Sequence, residues 1–276
     1  MSGKRKAPQA RDRVLGAQLR ALRLSHTDLG VEEAAQAAQV SSATMSRTEN
    51  GKRHITVEDI AVLCTLYGVP SVQRSALVDA AQAPTQDGWW EGPLPGAPME
   101  VGTLASYESV ATALTDWSMA LIPGLLQTRA YAMGVLSVQG VDQSALDGYW
   151  KVRVHRQTAL PRFDYVAYIH ELALYTPFGG VGALKEQLVH LGHAADRGLG
   201  VRVVQARVPL AALAHPWLML EFPKDEPILH VELFESAVHL HPPAVEPYLR
   251  ARGELAAASL SWVESRKLIE RLVERL

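Results

Sequence analysis

The chain has 276 residues, 48% hydrophobic and 20% charged, with a formal net charge of −2, a mixture that buries a core and excludes a chain disordered by composition. Its single cysteine, Cys64, excludes an internal disulfide framework and any cysteine-cluster metal site. No apolar run approaches the roughly 20 residues that span a bilayer, and the basic start MSGKRKAPQARDR has no apolar segment behind it, so residence in the cytoplasm is expected.

In chain order, residues 1–12 read as a flexible basic arm. Leu15, Leu19 and Leu22 recur at helical spacing and predict a first helix over Arg13 to Leu24. A loop from Ser25 to Gly30 leads to a short Ala-rich helix, Val31 to Gln39, with Glu32 and Glu33 favourable in its first turn. Ser41 can cap a third helix, Ser42 to Glu49, that stops at Asn50-Gly51. Thr56 with Asp59 caps a fourth, Val57 to Tyr67, and Ser71 a fifth that ends near Ala83. Cys64 falls on the apolar face of the fourth helix. Residues 13–83 therefore read as a mainly α, five-helix domain.

Pro84 to Pro98 holds four prolines and three glycines and reads as a linker, with Trp89 and Trp90 expected to dock on the second domain. That second domain is expected over residues 99–276. Helical stretches are expected over Leu104 to Met119, Thr128 to Val138, Ser144 to Leu160, Val181 to Ala195 and Val245 to Leu276. Strands are expected at Tyr165 to His170, Val201 to Val204, Trp217 to Phe222 and Ile228 to Phe234. The expected fold is α+β, helices packed on a small, mostly antiparallel sheet.

The second and third helices, joined by a tight turn at Val40, have the form of a helix-turn-helix, which places its second helix in the major groove. Met45 falls inward, as does Ala35 across the turn. Ser42, Ala43, Thr44, Ser46 and Arg47 fall on the outer face. Arg47 can bond bidentately to a guanine edge, and Lys52 and Arg53, just past the helix, suit phosphates. Charge agrees: residues 1–53 carry ten Lys/Arg against five Asp/Glu, net +5, which leaves −7 for the rest.

At these residues the chain resembles the Xre/Cro/C1-type regulators. The resemblance covers about residues 14–70 and includes S-x-x-T-x-S-R-x-E-N-G and L-x-x-L-R. It implies a buried pair between Arg23 on the first helix and Glu49 before Asn-Gly. The chain departs from that pattern at Gln39, where the turn usually has glycine, at Thr48, usually aliphatic, and in a helix 1–2 loop one residue longer. Over residues 89–270 the chain is similar to the C-terminal domain of actinobacterial WhiJ-like regulators. Trp89-Trp90, Tyr107-Glu108, Ile122-Pro-Gly-Leu-Leu-Gln-Thr128, Arg153 to Gln157, His170-Glu171, Gly179-Gly180, Gln187-Leu188 and Val231-Glu232 carry that likeness. It implies a regulator acting beside small partner proteins, its ligand open.

Ile122 to Thr128 reads as a helix break with Thr128 a cap, either a folding corner or part of a pocket. Trp117, Tyr131, Trp150, Arg153 and Arg156 are candidate pocket residues. Arg153 and Arg156 share a helix face and suit an anionic ligand or salt bridges to Glu108 or Glu171. His190, His193 and Asp196, and separately His239 and His241, could approach a metal, but neither set supplies an assured further ligand, and no metal or cofactor is expected. Gly179-Gly-Val-Gly182 is neither a Walker A loop nor a dinucleotide fingerprint, and no nucleophile elbow occurs. Two function classes stand. The first is a sequence-specific regulator, not an enzyme, that binds double-stranded DNA as a homodimer on an inverted repeat, its second domain sensing a small molecule or partner protein or dimerising. The second is an enzyme or accessory protein of specialised metabolism that retains a helix-turn-helix as scaffold.

Overall fold

The computed structural model describes residues 10–82, 88–91, 103–108, 110–210, 214–223, 225–233 and 237–276. The chain forms two compact units, residues 1–110 with 233–241, and residues 111–232 with 242–276. Most of the expected linker at 84–98, and the side chains of Trp89 and Trp90, lie outside the described residues.

The first unit holds α1 (Ala10–His26), α2 (Val31–Ala37), α3 (Ser42–Glu49), α4 (Val57–Leu66) and α5 (Ser71–Gln82). Strand β1 (Gly88–Glu91) and α6 (Thr103–Glu108) come next, and a late segment, β7 (Ala237–Leu240), pairs antiparallel with β1. Leu15, Leu19 and Leu22 meet Ala34, Ala35, Met45, Ile60, Leu63, Cys64 and Leu77 in one core. Helix α1 begins at Ala10, three residues before the expected start. Asp12 supplies the reason: an acid in the first turn suits the helix dipole, and this one is fully buried with its carboxylate on the N–H of Ile55 at 2.9 Å. Val14 and Ala17 are buried on another face of α1, which also packs on α6.

The turn between α2 and α3 has a cost. Gln39 sits at φ 56°, the left-handed region that favours glycine, because Val40 must return its N–H to Ala35 O at 2.9 Å to close the turn. Gln39→Gly is therefore expected to stabilise this unit by about 1 kcal/mol, the size of the left-handed penalty relieved. The check is the urea midpoint; an unchanged or lower midpoint would show that Gln39 carries no strain.

The second unit contains β2 (Ala113–Ser118), α7 (Arg129–Val138), α8 (Leu146–Gln157), β3 (Asp164–His170), α9 (Val181–Gly192), β4 (Gly200–Val204), β5 (Trp217–Glu221), β6 (Ile228–Glu232), α10 (Glu246–Ala258) and α11 (Trp262–Arg275). Its strands run β6-β5-β2-β3-β4 in a mixed sheet. Strands β2, β3 and β4 are parallel to one another, and their connections carry α7, α8 and α9, as parallel crossovers require. Strand β5 is antiparallel to both β2 and β6. The expectation of a helix over Leu104 to Met119 is corrected here: α6 stops at Glu108 and Ala113–Ser118 is the middle strand. Leu114, Thr115, Trp117 and Ser118 are all buried, so this strand is covered on both faces and shows no alternation to mark it. The expected helix over Val245 to Leu276 is two, separated where Ser261 caps α11. That break closes the edge of β4. Val203 donates its N–H to Ser265 Oγ at 2.9 Å and its carbonyl accepts the N–H of Leu260 at 2.9 Å, so both outer groups of this residue are occupied.

Candidate nucleic-acid interface

Helix α3 is held at its start by Ser41, whose Oγ accepts the N–H of Thr44 at 3.1 Å. Its inner face, Met45, Thr48 and Glu49, is buried. Ser42, Ala43, Ser46 and Arg47 are exposed and Thr44 is half-exposed, so the five expected base-reading positions lie together on one side of α3. Arg47 folds back in this structure, its Nε donating to Ala43 O at 3.2 Å. Asn50 closes the helix by donating from Nδ2 to Ser46 O at 2.7 Å, and Gly51 turns the chain at φ 61°.

The inner side is fixed by charge. Arg23 donates from Nε to Glu49 Oε1 at 2.7 Å and from its second terminal nitrogen to Glu49 Oε2 at 2.8 Å, with 4% and 3% of the side chains exposed. The remaining guanidinium nitrogen donates to Leu29 O at 2.8 Å. The Glu49 hydrogen bonds hold the Arg23 pKa above its usual value, against the opposing effect of burial. Tyr67, beside this pair, donates to Met45 Sδ at 3.9 Å, and burial raises its phenol pKa. A bidentate pair with its spare donor satisfied joins α1 to the last turn of α3 with little orientational freedom.

Lys52 is exposed in the loop after α3. Arg53, expected at a phosphate, is half-buried, pairing with Asp59 at 3.0 Å and donating to Thr48 Oγ1 at 3.0 Å. Sequence reading missed Asp12, whose carboxylate holds both Ile55 N and His54 Nδ1. The only signal was an acid in the first turn of a helix, which is too common to single it out.

The candidate pocket residues of the second unit are placed differently. Trp117 and Tyr131 are fully buried in the core, and burial pushes the Tyr131 phenol up to about 12. Arg153 donates to Gln127 Oε1, whose amide in turn donates to Ile122 O at 2.7 Å. Gln187 accepts the N–H of Thr128 at 2.7 Å and donates to Leu126 O at 2.8 Å, and Gln157 donates to Gln127 O at 2.9 Å. Thr128 caps α7 through the N–H of Tyr131 at 3.5 Å. Ile122 to Thr128 is thus a corner whose backbone groups are answered by side chains from α8 and α9. Trp150 and Arg156 are half-buried on α8. Glu171 accepts the N–H of Ala206 at 3.1 Å and the hydroxyl of Tyr175 at 3.5 Å.

Of the histidines, His193 meets Asp196 at 3.1 Å and His190 Nε2 faces the Arg197 guanidinium at 2.9 Å. His239 and His241 are buried on β7 and beside it, and desolvation lowers both pKa values to about 3. No group of three or more His, Cys, Asp or Glu placed to hold a metal occurs among the described residues. No described helix is long and apolar enough to cross a membrane.

Residues 14–77 match the model of a helix-turn-helix domain, the span that contains α2, the turn and α3. No curated protein matches the chain. Among solved structures, the crystal structure of the clp gene regulator ClgR from C. glutamicum is similar at 28% identity, with a TM-score of 0.23, over 29% of this chain and 100% of its own. Residues 101–271 match the family described as Domain of unknown function (DUF5753), which is more than half of the chain, and the protein belongs to that family.

Proposed function

We propose that this protein is a sequence-specific DNA-binding transcriptional regulator. The observation that carries the reading is α3: a capped helix whose one face, Ser42, Ala43, Thr44, Ser46 and Arg47, is presented to solvent while the other is locked by Met45 and the Arg23–Glu49 pair. In this reading α3 enters the major groove, Arg47 swings from Ala43 O to a guanine edge, and Lys52 sits on a phosphate. The hydroxyls of Ser42, Thr44 and Ser46 add shorter contacts to bases or phosphates. One such head covers only a few base pairs, so the reading extends to a homodimer on an inverted repeat. The second unit then supplies the input, a small molecule or partner protein, or the dimer contact.

Arg47→Ala is expected to lose about 1–3 kcal/mol of operator affinity, with the melting temperature unchanged, because the residue is exposed and its side-chain bond to Ala43 O is local. Lys52→Ala is expected to weaken all duplexes alike and to lower the salt slope by about one unit. Fluorescence anisotropy on the DNA upstream of the protein's own gene, against a scrambled duplex and across salt, reads both. Unchanged affinity and selectivity for Arg47→Ala would remove α3 from the groove.

A further inference from the structure

The loop from Asn50 to Thr56, which joins the proposed recognition helix to α4, carries two cations with different fates. Lys52 is exposed. Arg53 has 30% of its side chain exposed and makes two contacts from one terminal nitrogen. It donates to Thr48 Oγ1 at 3.0 Å, and Thr48, itself buried, donates that hydroxyl's proton to Thr44 O at 2.9 Å on the preceding turn of α3. It also pairs with Asp59 at 3.0 Å. Asp59 accepts the N–H of Thr56 at 2.9 Å and returns its own N–H to Thr56 Oγ1 at 3.2 Å, the reciprocal cap that starts α4. One guanidinium therefore ties the last turn of α3 to the first turn of α4. The buried Asp12 carboxylate of α1 holds Ile55 N at 2.9 Å and His54 Nδ1 at 3.2 Å. Residues 53, 54 and 55 are thus each bonded to a neighbouring helix.

This accounts for Thr48. An aliphatic residue there would pack as well against the core, but it offers no acceptor to Arg53. The Arg53–Asp59 pair is also neutral as a unit, which weakens the pull of Arg53 on a DNA phosphate.

We infer that Arg53 is a positioning residue for DNA recognition: through Thr48 and Asp59 it sets the angle at which α3 meets the groove and the place of Lys52 beside it, and it does not itself neutralise a phosphate. The inference rests on the DNA-binding reading above. It requires one guanidinium nitrogen that meets both oxygens at once, at a reach the shorter and more flexible lysine stem does not hold at equal charge.

The test uses the full chain, its own upstream duplex and a scrambled duplex, with affinity measured across salt. Arg53→Gln, Arg53→Lys and Thr48→Val are each expected to lower the ratio of operator to scrambled affinity about tenfold, the size of one lost base contact, with the salt slope of Arg53→Gln unchanged. Lys52→Gln is expected to do the reverse, lowering the slope by about one with the ratio kept. The double variant Thr48→Val/Arg53→Gln is expected to lose no more than either alone, and a double-mutant cycle in urea unfolding is expected to show the same coupling without DNA. Arg53→Gln losing one unit of slope, with Arg53→Lys restoring full affinity, would make Arg53 a phosphate contact and overturn the inference. Thr48→Val with wild-type selectivity, or additive Thr48 and Arg53 effects on unfolding, would overturn it too. A wild-type protein that does not distinguish the two duplexes would overturn the DNA reading and the inference with it.

Discussion

Glu49→Ala is expected to cost the first unit about 3–5 kcal/mol, enough to unfold or strongly soften residues 10–82. The carboxylate is 3% exposed and takes two short bonds from Arg23, itself 4% exposed. Removing it strands a guanidinium that has only Leu29 O left among its partners shown in the structure. The desolvation of that charge then goes unanswered, which is why truncating one partner of a buried pair costs far more than the pair contributes net. Glu49→Gln keeps the shape and one acceptor for the guanidinium, with its amide NH2 set against the second Arg23 donor, and is expected to cost less than Glu49→Ala. Far-ultraviolet circular dichroism during urea unfolding, with hydrogen exchange of α1 and α3, separates the two variants. A melting transition for Glu49→Ala that coincides with wild type would show that the pair contributes nothing to the fold.

Gly16→Ala is expected to destabilise by about 1–3 kcal/mol, although Gly→Ala in the middle of a helix ordinarily stabilises by about 0.5–1 kcal/mol. The sign reverses because of what lies opposite. A Cβ at Gly16 would stand 2.3 Å from Thr48 O and 2.8 Å from Gly51 N. Both are backbone atoms at the end of α3, so no side chain can turn away, and α1 has to move off the recognition helix. Gly51 faces the same crossing, where its own Cβ would meet Arg13 Cα at 2.3 Å. A higher urea midpoint for Gly16→Ala would show that the two helices separate at no cost. A lower midpoint accompanied by lost operator selectivity would tie the crossing to recognition.

These two residues show what was legible in the chain. Glu49 stood in a recognisable S-R-x-E-N-G string, and its partner Arg23 came from the resemblance that string carries. Gly16 stood in a helix with no turn, cap or motif to mark it, because its meaning lies in a close approach to residues more than thirty positions away. The same division separates Lys52 from Arg53. Both are cations past a recognition helix, and charge alone assigns both to phosphate. Only the tertiary structure places Thr48 and Asp59 beside one of them, Arg53.

By itself the sequence determined the head: its five helices, the caps at Ser41 and Thr56, the inward Met45 and the outward face of α3, and in the second unit the cap at Thr128. Those features arise from local rules, helical spacing of apolar residues and side-chain bonds to neighbouring N–H groups, which act within a few residues. Tertiary structure alone decided that Ala113–Ser118 is the middle strand of a mixed sheet. A strand buried on both faces has no polar–apolar alternation, and its ladder partners, residues 164–169 and 217–221, lie about fifty and a hundred residues further along the chain. It also decided that residues 233–241 join the compact unit of the first hundred residues. Pairing of β7 with β1 spans more than half of the chain, and backbone hydrogen bonds carry no mark in the side chains that would announce it.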